Sequence, residues 1–437
     1  MTRRRAVGSG RVYFDPRRRR IPCRRTHPRG IAAGTAHGTY RPVAGEASTA
    51  TTLEAPLSAG PGTPTRTPAA DPDAPGELSG RPLPDLVDAV ERALRTFFTT
   101  RRPLVRDLGP VFEEAAAALE HFVLRGGKRT RPAFAWTGWL GAGGDPAAPE
   151  AAAVLTACAA LELVQACALI HDDIIDSSRT RRGYPTVHVD YERRHRDRGW
   201  AGESEHFGVG AGILIGDLAL AWADDMVHAA GLRPDQLARF AEVWAGMRTE
   251  VLGGQLLDIS GVAGADESVA AALRINRYKT AAYTVERPLH LGAAIADADP
   301  ELIAAYRTFG TDIGIAFQLR DDLLGVFGDP AVTGKPSGDD LREGKRTVLL
   351  AAALERADAT NPAAAALLRE GIGTDLSQDQ VERLRGVLIE LGAVHEVERR
   401  ITELTDRGLA AMQASSAAPA AKQRLRAMAL AATRRAA

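Results

Sequence analysis

Lysine is nearly missing from this sequence. Of 55 basic residues only five are lysines: Lys128, Lys279, Lys335, Lys345 and Lys422. A tenfold preference for arginine suggests a GC-rich coding sequence in which Arg takes over wherever chemistry permits. The lysines that remain merit inspection, because a compact ammonium point charge is not interchangeable with a planar guanidinium fork. Cysteine is scarce too. Cys23, Cys158 and Cys167 are too few for a disulfide framework and point to a reducing, cytoplasmic compartment. Cys158 and Cys167 lie in an apolar run, where a free Cys behaves as a small hydrophobe. Net charge is absent altogether, with 55 bases against 55 acids. That zero hides an asymmetry. Residues 1–80 hold thirteen Arg and six acids, and residues 81–437 hold 42 bases and 49 acids. A mildly acidic body argues against nucleic-acid binding, which wants a basic face.

Residues 1–80 also lack a periodic apolar face. They carry RRRR at 17–20, the run PGTPTRTPAADPDAP and many Ser, Thr and Gly, the composition of a disordered extension. No apolar segment follows the arginines, which excludes a secretory signal; an Arg-rich, acid-poor start also resembles a transit peptide. The expectation is a dispensable Arg/Pro/Ala-rich extension. From residue 81 onward, what is missing is the alternation of a strand. Apolar residues recur at three-to-four spacing in 83–99, 110–124, 150–176, 211–230, 234–257, 266–293 and 299–327, and in further segments to the end. Residues 81–437 are therefore expected to form one all-α bundle of about a dozen helices. The stretch 151–170 has the length of a membrane span. It carries Glu162 and Gln165, is weakly hydrophobic through its Ala content, and runs into three aspartates. It is read as a buried central helix, with no stable membrane span. Residues 189–207 are read as a charged, solvated loop.

Two places concentrate acid where a helix should be apolar. The first is His171-Asp172-Asp173-Ile174-Ile175-Asp176. Residues four apart on a helix are neighbours, roughly 5–6 Å between Cβ atoms, so Asp172 and Asp176 point the same way. Two unpaired carboxylates there repel and are costly to desolvate. Divalent cations relieve that cost, and oxygen-only ligands favour Mg²⁺ over Zn²⁺. The second cluster is Gln318-Leu319-Arg320-Asp321-Asp322, closing the apolar run TDIGIAF. Either cluster alone could be a solvated helix end. Two of them, each ending a long apolar helix, form a site for several Mg²⁺ ions if they face each other.

Mg²⁺ held by a few carboxylates usually completes its shell with phosphates. Bases for those phosphates are at hand. Gly126-Gly127-Lys128-Arg129-Thr130-Arg131-Pro132 is a glycine turn opening a helix, with three bases in four residues. Arg179, Arg181 and Arg182 follow the first acid cluster, Lys279-Thr280 sits inside a helical stretch, and Lys335 and Lys345 flank Gly338-Asp339-Asp340. Four of the five lysines thus stand where a diphosphate needs a point charge.

These residues resemble the trans-isoprenyl diphosphate synthases, or polyprenyl synthetases, over roughly residues 85–437, and most resemble a bacterial geranylgeranyl diphosphate synthase. GGKRTRP at 126–132 is similar to the family's homoallylic-site motif and DDIID at 172–176 to its first Asp-rich motif. RTRRGYPT, YKT at 278–280, FQLRDDLLGVFGD and TGKPSGDD…GKRT match the elements that follow. The resemblance implies an all-α bundle around a deep central cavity, a homodimer, and Mg²⁺-dependent head-to-tail joining of an allylic diphosphate to isopentenyl diphosphate. It implies three Mg²⁺ ions, two on Asp172 and Asp176 and a third on Asp321, with Asp173, Asp322 and Gln318 assisting. Arg181, Lys279 with Thr280, Lys335 and Lys345 would hold the allylic diphosphate, and Lys128, Arg131, Gln165 and Arg182 isopentenyl diphosphate. The metal and bases stabilise the departing diphosphate, apolar helices keep water from the allylic cation, and the proton leaves on the diphosphate itself.

One departure stands out. The second motif reads DDLLG, so Gly325 occupies a position where many family members carry a third Asp; Asp329 is too far along the helix to replace it. The third ion is then expected to rest on Asp321, Asp322 and water. Farnesyl-specific members place aromatics four or five residues before the first motif. Here those positions hold Ala168 and Cys167, so a fifteen-carbon stop is not expected. A floor from Phe134, Trp136 or Trp139 gives geranylgeranyl diphosphate, with a longer polyprenyl product as the alternative. A class I terpene cyclase would not need GGKRTRP and Arg182, and a non-catalytic partner subunit would have lost more than Gly325. Three look-alikes are set aside: GVGAG at 208–212 as close helix packing, His171 as a hydrogen-bonding neighbour of the metal site, and Asp224-Asp225 as a solvated acid pair without nearby bases.

Overall fold

The computed structural model describes residues 84–181, 183–329 and 338–434, all of which fall within one compact unit, Pro75–Ala437. The expected extension over 1–80, Arg182 and Lys335 lie outside the described residues. Helices dominate from end to end. Helix α1 (Pro84–Asp107) shows why: Leu86, Val90, Leu94 and Phe97 recur at helical spacing and are buried, while arginines and acids face outward. It pairs with α2 (Pro110–Leu124), which opens on Gly109 with Pro110 in its first turn.

The next elements are α3 (Thr130–Gly141), α4 (Ala151–Ala159) and α5 (Leu161–Ile175). After a two-stranded hairpin, Thr180–Arg181 with Tyr184–Pro185, come α6 (Val187–Asp197), α7 (Ser204–His228) and α8 (Pro234–Ala263). Helix α9 (Val269–Ile275) then widens into a π-helix over Asn276–Glu286 and narrows again into α10 (Arg287–Ile295). Helix α11 (Pro300–Phe327) starts on an N-cap, the Asp299 carboxylate accepting from Leu302 N at 2.6 Å. The remainder is α12 (Asp339–Glu343), α13 (Val348–Thr360), α14 (Pro362–Gly371), α15 (Gln378–Glu390), α16 (Ala393–Ala414) and α17 (Pro419–Thr433).

Helix α11 runs between α16 and the π-helix, α10 lies on α3, and α5 and α6 both pack on α7. The main core centres on Leu119, Phe134, Leu161, Ile170, Met226, Phe240, Met247, Tyr306 and Phe309. A second core joins the end of α11 to α13, α15 and α16 through Leu319, Leu323, Leu349, Leu384 and Ile401. The second core holds the end of α11, where the second acid cluster sits.

The all-α expectation is met, with three local corrections. The central apolar stretch divides into α4 and α5 at Ala160. Residues 189–207 are not a loop: α6 covers much of them, carried by Arg194–Asp190 at 2.8 Å, Arg196–Glu192, and Arg198–Glu114 at 2.7 Å. Ion pairs at four-residue spacing, together with burial of Val187, Val189 and Tyr191, make a charged segment helical. The hairpin, two residues a side, is too short to show a period of two. Ala151–Ile175 and Ser204–His228 are long and apolar enough to cross a membrane, and 67% of the apolar window of the first is buried inside the protein.

Candidate active site

The last turn of α5 and its C-cap deliver the first acid cluster. Asp172 Oδ1 accepts from Lys279 Nζ at 3.0 Å and from Gln255 Nε2 at 3.0 Å, and Oδ2 lies 3.8 Å from Arg181. Burial alone would raise its pKa, but Lys279 and Arg181 outweigh that and hold it below the usual carboxylate range. Asp173 turns the other way. It is 1% exposed, and its Oδ1 takes both Arg181 Nε at 2.8 Å and Nη2 at 2.7 Å. It therefore aims Arg181 from beneath the hairpin while Asp172 faces the lysine. Asp176 caps α5, and burial together with the charge of Asp172 pushes its carboxyl up to about 6.

Lys279 reaches this cluster from the π-helix. Such widened turns are frequent at functional sites, and this one brings Lys279, Thr280 and Thr284 to the same region. Lys279 Nζ also donates to Asp258 at 2.6 Å. Burial opposes its charge, yet Asp172 and Asp258 prevail and raise its pKa. Helix α8 can come this close because residue 254 is glycine: a Cβ there would lie 2.3 Å from Lys279 N. At the next residue, Thr280 Oγ1 donates to Gln318 Oε1 at 2.7 Å, and Gln318 Nε2 donates to Asp322 Oδ1 at 2.7 Å. This chain of bonds joins the π-helix to the second acid cluster.

Asp322 is 5% exposed, and its Oδ2 is buried without a hydrogen-bond partner among the described residues. Burial, then the negative charge of Asp340, pushes this carboxyl up to about 7. Asp321 precedes it and is half-buried. Lys345 pairs with Asp340 at 3.3 Å and Glu343 at 2.6 Å. Its charge acts on both Asp176 and Asp322, and Thr280, next to Lys279, is bonded through Gln318 to Asp322. The two acid clusters therefore face one another with Lys345 near both and Lys279 on Asp172.

The glycine turn lies beside this arrangement. Gly126 and Gly127 have φ of 91° and 131°, the left-handed region glycine permits, and the exposed Lys128 follows them. Arg131 is buried, donates to Thr284 Oγ1 at 2.9 Å and stacks 4.1 Å over the Tyr283 ring. Gln165 is half-buried on α5, seven residues before Asp172. Cys167, buried, and Ala168 stand one turn before the acids.

Three contributors were not anticipated. Gln255 and Asp258, three apart on α8, hold Asp172 and Lys279, and the polar pair inside the apolar run GGQLLDIS was the signal for them. Asp340 was read only as a neighbour of the flanking lysines. Of the look-alikes, His171 Nε2 lies 3.1 Å from the Ile213 carbonyl oxygen. Gly208 and Gly212 are close-packing positions, a Cβ meeting His188 O at 2.3 Å and Ile174 Cδ1 at 2.7 Å. The reading of Asp224-Asp225 is corrected: Asp224 accepts from Trp244 Nε1 at 2.6 Å and pairs with Arg248, and Asp225 lies 3.4 Å from Arg101. Those bases come from α8 and α1, far away in sequence.

A helical bundle carrying two facing acid clusters, with lysines between them, has clear counterparts. The family model for polyprenyl synthetase matches residues 112–386, and the chain belongs to that family. It is a trans-prenyltransferase. A geranylfarnesyl diphosphate synthase of Aeropyrum pernix is 34% identical over 298 residues, 68% of this chain and 86% of that protein. A geranylgeranyl diphosphate synthase of Mycobacterium tuberculosis is 33% identical over 296 residues, 65% and 75% of the two chains. Among solved structures, a geranylgeranyl pyrophosphate synthase of Corynebacterium glutamicum, complexed with isoprenyl diphosphate and magnesium, superposes with a TM-score of 0.78. It is 52% identical and covers 80% of this chain and 99% of its own.

Proposed function

We propose that this chain condenses isopentenyl diphosphate with an allylic diphosphate in a Mg²⁺-dependent reaction and makes geranylgeranyl diphosphate. The observation that carries the reading is the apposition of the two acid clusters across Lys279 and Lys345. The donor set fits Mg²⁺. It is made of hard carboxylate oxygens, with no His or Cys among them, and it includes the orphaned, buried Oδ2 of Asp322.

Asp172, Asp176 and Asp321 would hold the metal, which supplies electrostatic stabilisation to the leaving diphosphate. The chain's own residues do the rest. Lys279, Arg181 and Lys345, with Lys335, balance the charge of the allylic diphosphate, and Asp173 and Asp258 fix Arg181 and Lys279 in place for that task. Lys128, Arg131 and Gln165, with Arg182, bind isopentenyl diphosphate. The Thr280–Gln318–Asp322 chain of hydrogen bonds ties the π-helix to the second acid cluster, and the apolar helices exclude water.

Small residues at Cys167 and Ala168 leave room for a chain beyond fifteen carbons. The exposed apolar residues Ile213 and Leu214 on α7 and Leu252, Leu256, Ile259 and Val262 on α8 support a homodimer formed by these helices. The protein is read as cytoplasmic, with residues 1–80 dispensable for turnover. Incubating the purified chain with Mg²⁺, isopentenyl diphosphate and each allylic primer, with products read by mass, tests the proposal. A twenty-carbon diphosphate is expected, a longer one moves the tunnel floor, and no condensation with any primer refutes the reading.

A further inference from the structure

The two acid motifs of this chain are unequal. The first reads Asp172-Asp173-Ile174-Ile175-Asp176 and the second Asp321-Asp322-Leu323-Leu324-Gly325. The position equivalent to Asp176 carries no side chain in the second motif. Its space is nevertheless filled. A Cβ built on Gly325 would lie 1.9 Å from Oδ2 and 2.4 Å from Cγ of Asp340. The carboxylate of Asp340, delivered by α12, stands where a side chain at 325 would begin.

Asp340 is 8% exposed, and Lys345 Nζ lies 3.3 Å from its Oδ1. The lysine's hydrogen bond goes to Oδ1, and Oδ2 is the oxygen closest to that Cβ position. Among the charges acting on Asp322, that of Asp340 is the largest. Asp322 spends Oδ1 on Gln318 and leaves Oδ2 buried and unpartnered. Two buried carboxylates beside each other with one ammonium between them are costly to keep dry and ionised. An oxygen-seeking cation removes that cost.

We propose that Asp340 supplies the carboxylate that the second acid motif lacks at Gly325, completing with Asp321 and Asp322 the α11 side of the Mg²⁺–diphosphate site. The inference rests on the prenyltransferase reading of that site. It replaces the expectation that water makes up for the missing acid. If Asp340 were only the ion-pair partner of Lys345, its charge would affect local stability and leave the metal untouched.

The test is a calorimetric titration of Mg²⁺ into the full chain in the presence of saturating inorganic pyrophosphate. Asp340→Asn keeps the shape and the acceptor for Lys345 while removing the charge. It is expected to weaken the apparent Mg²⁺ affinity by about tenfold or more, in the range found when a metal site loses a supporting group, with the far-UV circular dichroism of the parent. Gly325→Asp alone is expected to lower Tm, because its side chain meets the Asp340 carboxylate. Combining Gly325→Asp with Asp340→Gly moves the acid back to α11 and is expected to recover most of the lost affinity. Asp340→Asn titrating like the parent overturns the inference and leaves the prenyltransferase reading standing. A parent chain that takes up no Mg²⁺ with pyrophosphate overturns both. Should the double variant not fold, Asp340→Asn decides alone.

Discussion

Arg129 binds no substrate in the reading above, yet replacing it is expected to damage the isopentenyl diphosphate half of the site. It stands between Lys128 and Arg131, is 3% exposed and has a φ of 48°, a left-handed conformation that a residue with a Cβ adopts only at a cost. Its side chain explains how that cost is met. Nη1 donates to Glu162 at 2.7 Å and to the Val123 carbonyl at 2.9 Å, and Nη2 donates to Glu91 at 3.0 Å. The glycine turn is thereby tied to α1, α2 and α5 at once. Arg129→Met keeps the length of the side chain and strands Glu162, itself 7% exposed, as a buried lone carboxylate. Breaking a buried pair in this way costs about 3–5 kcal/mol. With roughly 350 ordered residues at about 2.1 cal/mol/K each, unfolding entropy is near 0.7 kcal/mol/K, so the loss corresponds to about 4–7 °C in Tm. Scanning calorimetry measures the drop, and steady-state kinetics should show KM for isopentenyl diphosphate rising more than KM for the allylic primer. Adding Glu162→Leu removes the stranded charge and should return most of the stability without restoring KM. A single variant as stable as the parent, or a double variant no better than the single, would refute the argument.

Asp172→Ala should remove Mg²⁺-dependent turnover, since it takes away the carboxylate shared by Lys279, Gln255 and Arg181; near-normal product formation would mean the metal side of α5 is misassigned. Cys167→Phe, one turn above the acids, should shorten the product towards fifteen carbons in a radiolabelled chain-length assay, and an unchanged product would sink this account of the tunnel. His290 has its pKa lowered to about 4 by burial and then by Arg287 and Arg307, so its stabilising contribution is complete above the unfolded value near 6.5 and is lost as pH falls towards 4. After allowance for its partial exposure the loss is on the order of 2 kcal/mol, and His290→Gln should flatten the fall in urea-unfolding stability between pH 6.5 and 4; an unchanged slope would contradict it.

What the sequence could disclose was whatever repeats along one helix. The acid pair at 172/176 could be read because four-residue spacing on a helix puts both on one face, the pair at 321/322 because it closes an apolar helical run, and the rare lysines because their chemistry cannot be replaced by arginine. Contacts made across helices were not legible in that way. Gln255 and Asp258 looked like polar interruptions of α8, and only the approach of α8 to the π-helix at Gly254 turns them into holders of Asp172 and Lys279. The π-helix itself leaves no mark in a 3.6-residue period that continues on either side. The task of Asp173 in the first motif is set by the hairpin, which brings both Nε and Nη2 of Arg181 onto its Oδ1. Gly325 is the sharpest instance. Along the chain it is an acid lost, and its consequence depends on a residue fifteen positions away that local spacing cannot relate to it. Because α12 lays Asp340 over that glycine, the gap in the motif and the acid that fills it follow from a single packing event. A helical motif should therefore be counted by the carboxylates that reach its site, whichever element carries them.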